Sequence, residues 1–374
     1  MKYRKFGSMD EHVSALGFGT MRLPVKGSEK DVDEPAAIEM IRHAIDNGVN
    51  YVDSAWPYHD GQSEMVTGKA LRDGYRRKVR LATKLPVWEV ESIEDCDRIF
   101  CEQLRRLQDE HIDYYLLHCL SRDRWAKMQR LGVMKWIDGL KADGRIGRTG
   151  FSFHDSFDAF QEIVDAYDWP ICQIQYNYVC EDVQAGTEGL KYAAARGLAV
   201  AIMEPLFGGT LADPPDEVRA IWREAGADPV DMALQWLWSK PEVSIVLSGM
   251  STLEQVRRNV ASACRCGVGC LSEEDLDLIA RVQAKYRELS PIPCTKCGYC
   301  MPCPNGVDIP RNLELYNNSA VLKGSSLVLC RNLYNLLPEA ERAGACRQCR
   351  ECEEKCPQKI EISRQMPGVH EALG

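Results

Sequence analysis

The chain has 374 residues, 45% of them hydrophobic, which is enough to bury a large core, and its length suggests two or three domains. Its net charge of -9, without a basic stripe, argues against a nucleic-acid partner, and the lack of an apolar run of about 18 residues argues against a membrane span. The 17 cysteines and the lack of an apolar stretch among the first residues lead us to expect a reduced, cytoplasmic protein.

Strands and helices alternate from residue 1 to about residue 290. The first residues predict a β-hairpin, and residues 16–20 predict the first buried strand. Seven more short apolar segments predict strands that begin at residues 51, 79, 112, 147, 171, 198 and 243. Amphipathic segments predict helices over residues 34–47, 63–72, 92–110, 134–143, 156–167, 187–196, 229–239, 253–262 and 272–289.

Eight strand–helix units in about 250 residues are typical of a TIM (β/α)8 barrel, which is our prediction for this part of an α/β protein. The alternative, an open doubly wound sheet, normally has a GxGxxG sequence after its first strand, and GFGTMR resembles it only superficially. We place the domain boundary in the SPIP segment, with the barrel at residues 1–290 and a second domain at residues 291–374.

Polar side chains lie at the ends of three predicted strands, where barrel enzymes place their chemistry. Asp53, Lys84 and His118 occupy these ends, and Tyr58 follows in the loop after the second strand. Each of them alone is better explained by a structural role, as a helix cap, a surface lysine, a core histidine or a packing aromatic. Their occurrence on consecutive strand ends predicts a proton-delivery site.

Such a site needs a proton donor with a suitable pKa. A tyrosine titrates near about 10, and we expect the Lys84 ammonium to lower the pKa of Tyr58. Asp53 would keep Lys84 charged, and His118 would donate a hydrogen bond to a substrate carbonyl oxygen. Three aromatic residues lie in loops after the predicted strands, Trp56, Trp88 and Phe207. They either line an apolar substrate pocket or pack against the cysteine-rich segment.

Two cysteine-rich runs near the C-terminus, CTKCGYCMPCP and CRQCRECEEKCP, predict iron-sulfur clusters. A 4Fe-4S cluster takes four thiolates, and in two-cluster ferredoxins the fourth ligand of each cluster comes from the other run. We therefore expect Cys294, Cys297, Cys300 and Cys356 on one cluster and Cys346, Cys349, Cys352 and Cys303 on the other. The first run has two residues rather than three before its last cysteine, which leaves the crossed assignment open but not the set of ligands.

Zinc sites and disulfides are the alternatives, but zinc uses four cysteines at a time in two pairs and needs fewer ligands than these runs offer. The roughly 40 residues between the runs have a helical pattern and are too many for a compact βαβ ferredoxin, so we predict a small α-helical ferredoxin-like domain.

A third group of cysteines, Cys264, Cys266 and Cys270, is explained either by a further metal site, with Cys330, or by loop thiols.

The first 290 or so residues resemble the aldo-keto reductase family in many segments. These segments are LGFGTMRL, VDSAWPYHDGQSE, ATK, LLH, GRIGRTGFSFHD, QIQYN, MEPLFGG and SGMSTLEQVRRNV. With CPNGVDIP in the cysteine-rich part, the chain resembles a bacterial subgroup that ends in a 4Fe-4S ferredoxin-like domain. The resemblance implies a TIM barrel, usually NADPH as coenzyme, and Tyr58 as general acid.

The resemblance also implies a coenzyme site. Ser152 and Gln173 would hold the nicotinamide carboxamide, and Met203 would pack against its ring. The remaining positions would contact the pyrophosphate (Gly208 and Gly209) and the adenosine end (Gly249, Met250, Ser251, Gln255 and Asn259). Ordinary loop turns and a buried hydrogen bond of Gln173 are the alternatives. Gln255 stands where many NADPH-specific members have an arginine, so both NADP(H) and NAD(H) stay open.

We therefore expect an oxidoreductase that interconverts a small carbonyl compound and an alcohol, fused to two 4Fe-4S clusters. Nicotinamide transfers two electrons at once and a cluster takes one, so the clusters are either structural, a docking site for a redox partner protein, or the electron entry to a flavin. The alternative function is that of an electron-transfer protein whose barrel serves as a docking or sensing scaffold.

Overall fold

The computed structural model describes residues 1–28, 30–294, 298–321, 325–356 and 358–374. The chain forms two compact units, one of Met1–Pro205 with Ala233–Ser272 and the other of Leu206–Met232 with Glu273–Gly374. The domain boundary at residues 290 and 291 remains a prediction, because spatial grouping does not establish which segments fold alone. In the described ranges, no helix is both long and apolar enough to cross a membrane.

A closed parallel barrel dominates the first unit. Its strands are β3 (Leu16–Gly19), β4 (Tyr51–Asp53), β5 (Arg80–Pro86), β6 (Ile112–Leu120), β7 (Ile146–Phe153), β8 (Ile171–Gln175), β9 (Ala199–Met203) and β10 (Ile245–Gly249). They pair in chain order, and β10 closes the ring by pairing with β3, Val246 opposite Leu16. The predicted TIM barrel is therefore confirmed.

An N-terminal hairpin, β1 (Tyr3–Lys5) with β2 (His12–Ser14), precedes the barrel as predicted. Its apolar residues join the barrel interior in one buried cluster, in which the Phe6 ring meets Tyr114 edge-on at 5.3 Å between ring centroids. Gly7 has a φ of +61°, and a Cβ there would lie 2.4 Å from the backbone nitrogen of Ala199, so this turn accepts only glycine. The hairpin fills the amino-terminal end of the barrel, which leaves the carboxyl-terminal end of the strands for chemistry.

The helices that follow the strands begin and end close to their predicted positions. They are α1 (Glu34–Asp46), α2 (Gln62–Ala70), α3 (Ile93–Leu107), α4 (Arg122–Leu131), α5 (Val133–Ala142), α6 (Phe157–Asp165), α7 (Gly186–Ala195), α8 (Asp216–Glu224), α9 (Pro229–Trp238), α10 (Leu253–Arg265) and α11 (Glu273–Glu288). The prediction missed α4 and α8. The helix α4 buries only Trp125 and Met128, too few to produce a clear helical period in the sequence, whereas Val218 and Trp222, which are buried in α8, have a helical spacing that the prediction overlooked.

The end of the chain is helical, as predicted, with α12 (Ile309–Val321), α13 (Ser325–Leu336), α14 (Glu351–Glu354) and α15 (Ile362–Leu373). Two asparagines of α12 hold the chain just before each cysteine run. Asn317 exchanges hydrogen bonds with the backbone of Ile292 at 2.9 and 2.7 Å, and Asn312 accepts one from the nitrogen of Ala343 at 2.8 Å. The segments that precede the two cysteine runs are therefore hydrogen-bonded to the same helix.

Candidate functional site

A buried ion pair joins the ends of β4 and β5. The Lys84 Nζ atom lies 2.6 Å from Asp53 Oδ1 and donates a second hydrogen bond to the carbonyl of Ser54 at 2.7 Å. The Lys84 side chain is 1% exposed and that of Asp53 is 5% exposed. Burial lowers the pKa of Lys84, but the Asp53 carboxylate and the Tyr58 phenol outweigh burial and raise it. Lys84 is therefore an ammonium at neutral pH.

Tyr58 lies against this pair. The Lys84 Nζ atom is 5.1 Å from the centroid of the Tyr58 ring, and a left-handed turn at His59 and Asp60, with φ of 52° and 55°, leads the chain from Tyr58 into α2. Burial raises the pKa of the Tyr58 phenol above its ordinary value, and the nearby Lys84 ammonium offsets only part of this increase. The expectation of a lowered pKa was wrong because it left out burial. At neutral pH the phenol keeps its proton and can donate it.

His118, at the end of β6, completes the group of four. Its ring meets that of Tyr58 edge-on, with centroids 6.0 Å apart at 83°, and the centroid of the Trp88 ring lies 5.1 Å from that of His118. Among the described residues, nothing hydrogen-bonds its buried Nδ1 atom. Burial, followed by the positive charge of Lys84, holds the pKa of His118 well below its ordinary value. The neutral imidazole has one N–H to donate to a ligand.

The shifted pKa of His118 makes a testable contribution to stability. The unfolded chain gains a proton on this residue below about pH 6.5 and the folded chain does not, so this stabilisation is present above that pH and is lost as the pH falls. We expect the free energy of unfolding to fall less steeply below pH about 6.5 in His118→Asn than in the wild type. Urea unfolding at a series of pH values measures this, with His12→Asn, at an exposed position, as control. Parallel curves for His118→Asn and the wild type would contradict it.

The residues expected at the nicotinamide lie on neighbouring strands. Ser152 on β7 is opposite Gln173 on β8, and both are buried. The Ser152 Oγ atom accepts a hydrogen bond from the backbone nitrogen of Cys119 at 2.7 Å, and Gln173 Nε2 donates to Asp53 Oδ2 at 2.6 Å. The buried hydrogen bond considered as the alternative for Gln173 is thus present. Met203 ends β9 in a half-buried position.

The residues expected at the adenosine end lie at the end of β10, in the turn after it and on the first half of α10. The backbone nitrogen of Ser251 donates to Gln255 Oε1 at 2.7 Å, and Asn259 Nδ2 donates to Ser248 Oγ at 3.1 Å. Arg22, which the prediction missed, joins them because β3 and β10 are neighbours. A Cβ at Gly249 would lie 2.8 Å from its Cγ atom, and Ser251 Oγ donates to its carbonyl at 2.8 Å.

Of the other coenzyme candidates, Met250 is buried directly after Gly249, while Gly208 and Gly209 belong to the second unit. These two glycines have φ of +64° and +98°, a conformation that side chains rarely adopt. The turn considered as the alternative for them is therefore present.

A second network, which sequence reasoning also missed, supports β5 from behind. The buried Glu64 carboxylate accepts hydrogen bonds from Thr83 Oγ1 at 2.6 Å and from Gln103 Nε2 at 2.7 Å. Gln103 Nε2 also donates to the backbone carbonyl of Lys84 at 3.0 Å. Burial raises the pKa of Glu64. This network fixes the backbone that carries Lys84. The only signal in the sequence was the position of Glu64 six residues after Tyr58.

The cysteine runs meet in the second unit. Cys303 of the first run and Cys346, Cys349 and Cys352 of the second line one cavity, together with apolar residues that include Ile309 and Ile362. Cys294 and Cys300 are half-buried and Cys356 is buried, whereas Cys297 lies outside the described residues. Thiols around a cavity, rather than around a point, suit a cluster several ångströms across.

A third metal site finds no support in the structure. Over the described ranges, which include Cys264, Cys266, Cys270 and Cys330, no three His, Cys, Asp or Glu side chains converge on a single ion. The first three cysteines lie in the first unit and the buried Cys330 lies in the second. Cys264 lies in the last turn of α10, and Cys266 and Cys270 follow it in the loop before α11.

Comparison with known proteins points to one family. Residues 15–283 match the aldo/keto reductase family, and residues 293–361 match the 4Fe-4S dicluster domain. L-galactose dehydrogenase of Arabidopsis thaliana is 27% identical over 317 residues, covering 78% of this chain and 97% of that protein. The NADH-specific methylglyoxal reductase of Escherichia coli (strain K12) is 27% identical over 308 residues, covering 70% of this chain and 93% of that protein.

A solved structure agrees with both relatives. The holo form of an aldo-keto reductase from Bacillus halodurans has a TM-score of 0.64 at 26% identity, covering 75% of this chain and 96% of that chain. The family match spans well over half of the sequence, and the barrel and the C-terminal helices have the architecture that the resemblance implied. The chain is thus an oxidoreductase that belongs to the aldo/keto reductase family and carries a 4Fe-4S dicluster domain.

Proposed function

We propose that the protein interconverts an aldehyde or ketone and the corresponding alcohol with a nicotinamide coenzyme. The observation that carries this proposal is the buried Lys84–Asp53 pair, 2.6 Å between charged atoms, next to Tyr58 and His118. Burying a charged pair costs free energy because both groups lose their hydration. The group of four residues has a clear chemical use, which is to move one proton to a carbonyl oxygen.

Each of the four residues has a defined task in this proposal. His118 donates a hydrogen bond from its neutral imidazole to the carbonyl oxygen and orients the substrate. Tyr58 gives its phenolic proton to the same oxygen during reduction. The Lys84 ammonium stabilises the phenolate that is left, and Asp53 keeps Lys84 charged and in place. In the oxidation direction the phenolate takes the proton back.

The residues present fit a nicotinamide coenzyme, which when bound supplies the hydride for the carbonyl carbon. Ser152 and Gln173 would hold the carboxamide and Met203 the ring, and Gly208 and Gly209 would approach the pyrophosphate. A Cβ at Gly249 would fill the space next to Arg22, which favours backbone approach to a ligand there. Met250, Ser251, Gln255 and Asn259 would contact the adenosine end.

We favour NADP(H) over NAD(H), although the relative from Escherichia coli is named NADH-specific. Gln255 is uncharged and its Oε1 atom already accepts from the backbone of Ser251, whereas Arg22, whose side chain lies next to Gly249, has a guanidinium that could pair with a ribose phosphate. Initial rates with NADPH and with NADH decide between the two coenzymes.

The domain of residues 291–374 would hold two 4Fe-4S clusters. Cys303, Cys346, Cys349 and Cys352, which line one cavity, support the crossed assignment for the second cluster, with Cys294, Cys297, Cys300 and Cys356 on the first. We place this protein in the cytoplasm, where these thiols stay reduced before assembly. A redox partner protein remains part of the proposal, since a cluster exchanges single electrons.

Anaerobically purified protein should contain about eight irons per chain, because two clusters of four irons each are expected. Replacing Cys303 with Ser should lower this number toward about four and leave the other cluster in place. Elemental analysis and the visible absorbance of the clusters measure both values. Zinc in place of iron would contradict the cluster proposal, and an unchanged iron content in Cys303→Ser would contradict the crossed ligand.

The catalytic proposal is tested by following NADPH oxidation with and without an added aldehyde or ketone. Consumption that depends on the carbonyl compound, with one alcohol formed per coenzyme, supports it. If no carbonyl or alcohol from a broad panel changes the rate while the clusters exchange electrons with an added acceptor, the protein is an electron-transfer protein with a barrel scaffold. A flavin found in the purified protein would indicate a flavin-linked reductase fed by the clusters.

A further inference from the structure

Arg124, on the first turn of α4, lies next to the candidate active site and has no acidic partner among the residues that the structure describes. Two other cations of the same helix pair with carboxylates, Arg122 with Glu162 at 3.0 Å and Lys127 with Glu91 at 2.6 Å. The half-buried Arg124 instead donates from Nη1 to the carbonyl of Cys119 at 2.8 Å. In the part of the chain that the structure describes, no carboxylate comes within ion-pair distance of its guanidinium.

The guanidinium is held close to the imidazole of His118. Cys119, whose carbonyl accepts from Arg124, directly follows His118, and its φ of 61° accompanies the register shift near the end of β6. The Arg124 Cζ atom lies 5.6 Å from the centroid of the Trp88 ring, and the same ring lies 5.1 Å from that of His118. The charge of Arg124 is one of the causes of the lowered pKa of His118. The side chains of Arg124 and His118 thus both lie next to the indole ring of Trp88.

It is unusual for a half-buried guanidinium to lie beside an indole ring without a carboxylate partner, as Arg124 does among the described residues. Partial burial costs hydration, and an arginine normally recovers that cost by forming paired hydrogen bonds with a carboxylate or a phosphate. Trp88 is 37% exposed, so the region is open to a ligand from solvent. Two carboxylates act on Tyr58, more strongly Asp53, which is paired with Lys84, and more weakly Glu204. The site therefore has a negative group near the proton donor and a positive group near His118.

We infer that Arg124 binds the carboxylate of the substrate, and that the protein reduces carbonyl compounds that carry an acid group, keto acids or aldehyde acids. This inference rests on the proposed function and narrows its substrate class. With the carbonyl oxygen at Tyr58 and His118, the carboxylate lies on the Arg124 side, along Trp88. Trp88 then walls the apolar part of the substrate between the two polar contacts.

The reaction is balanced with the coenzyme as reductant. The hydride of NADPH forms a C–H bond at the carbonyl carbon, the C=O π bond breaks toward oxygen, and the Tyr58 proton completes the hydroxyl group. Solvent returns a proton to Tyr58. A keto acid becomes a hydroxy acid and NADPH becomes NADP⁺. The carboxylate on Arg124 is unchanged throughout, so Arg124 acts by binding and orientation.

The test uses acid and ester pairs that differ only in charge, pyruvate with methyl pyruvate and levulinate with methyl levulinate. We expect kcat/KM for the acid of at least one pair to fall about ten- to hundredfold in Arg124→Gln, the usual effect of losing a charged hydrogen bond, while the ester changes less than about threefold. Glutamine can still donate to the carbonyl of Cys119, and Arg124→Lys, which keeps the charge, should recover part of the loss. Arg122→Gln removes a paired charge from the same helix and is the matched control.

The outcomes separate this inference from the proposed function. If the wild type reduces the esters but shows no preference for either acid, or if Arg124→Gln lowers acid and ester equally, the carboxylate role is wrong and the carbonyl reductase proposal stands. If Tyr58→Phe leaves the reduction of acids and esters unchanged, the proposed function itself fails. Calorimetric binding of pyruvate and levulinate to the coenzyme-loaded protein gives an independent measurement, and Arg124→Gln should weaken binding of the preferred acid.

Discussion

Tyr58→Phe should lower kcat/KM for carbonyl reduction at least about a hundredfold, because the phenol is the group that protonates the oxygen. The ring remains, so the packing against His118 at 6.0 Å between centroids is kept. Coenzyme affinity should change little. Steady-state rates together with a fluorescence titration of NADPH binding measure the two quantities separately.

The same change at Tyr75, whose hydroxyl donates to Asp46 at 2.8 Å on the surface, is the control and should leave the rate unchanged. A loss of coenzyme affinity in Tyr58→Phe as large as the loss of rate would show that Tyr58 acts in binding and not as the proton donor. A rate within about threefold of the wild type would remove Tyr58 from the mechanism altogether.

Asp53→Asn should destabilise the protein by about 3–5 kcal/mol, the usual cost of leaving one charge of a buried pair uncompensated. The Lys84 side chain is 1% exposed, so its ammonium has no access to water when the Asp53 charge is removed. The free energy of unfolding in urea measures the loss. A second change, Lys84→Met, should restore part of the stability lost in Asp53→Asn while leaving the protein inactive.

A matched control comes from Lys127 and Glu91, which are also 2.6 Å apart but have a Glu91 side chain that is 76% exposed. Glu91→Gln should cost less than about 1 kcal/mol, as surface pairs usually do. The pKa of Lys84 is raised in the folded state, so the contribution of the buried pair is complete below about pH 10.4 and is lost as the pH rises through the folded pKa. Equal effects of Asp53→Asn and Glu91→Gln would contradict the cost assigned to burial.

The barrel and the four catalytic candidates were predictable because their signals are local. Each strand is a short apolar run, and Asp53, Lys84 and His118 mark the point where a run ends, so the parallel topology alone brings them to the same end. The 4Fe-4S domain was predictable for the same reason, because the spacing of its cysteines is a local pattern in the sequence. The helix α4 was missed because only Trp125 and Met128 mark its buried face.

The unpredicted parts of the site depend on contacts between distant segments. Glu64 supports Lys84 through Gln103, and the three residues come from α2, β5 and α3. Arg22 reaches the turn after β10 only because the barrel closes between β10 and β3. The raised pKa of Tyr58 also required the structure, since the balance between burial and the Lys84 charge depends on how far the ring is removed from water.

The meeting of Cys303 with Cys346, Cys349 and Cys352 around one cavity has a consequence for how the protein is made. In the crossed arrangement that we propose, neither cluster has all of its ligands until both runs, the second as far as Cys352 or Cys356, have left the ribosome. In this proposed arrangement, iron insertion would follow synthesis of the chain as far as Cys352 for one cluster and Cys356 for the other. Residues 1–290, which we predict to be a separate domain, leave the ribosome before the first cysteine run and need no iron to do so. If that domain folds by itself, a cell short of iron would accumulate chains with a folded barrel and a cysteine-rich domain that has not folded, because metal binding and folding of such a domain are coupled.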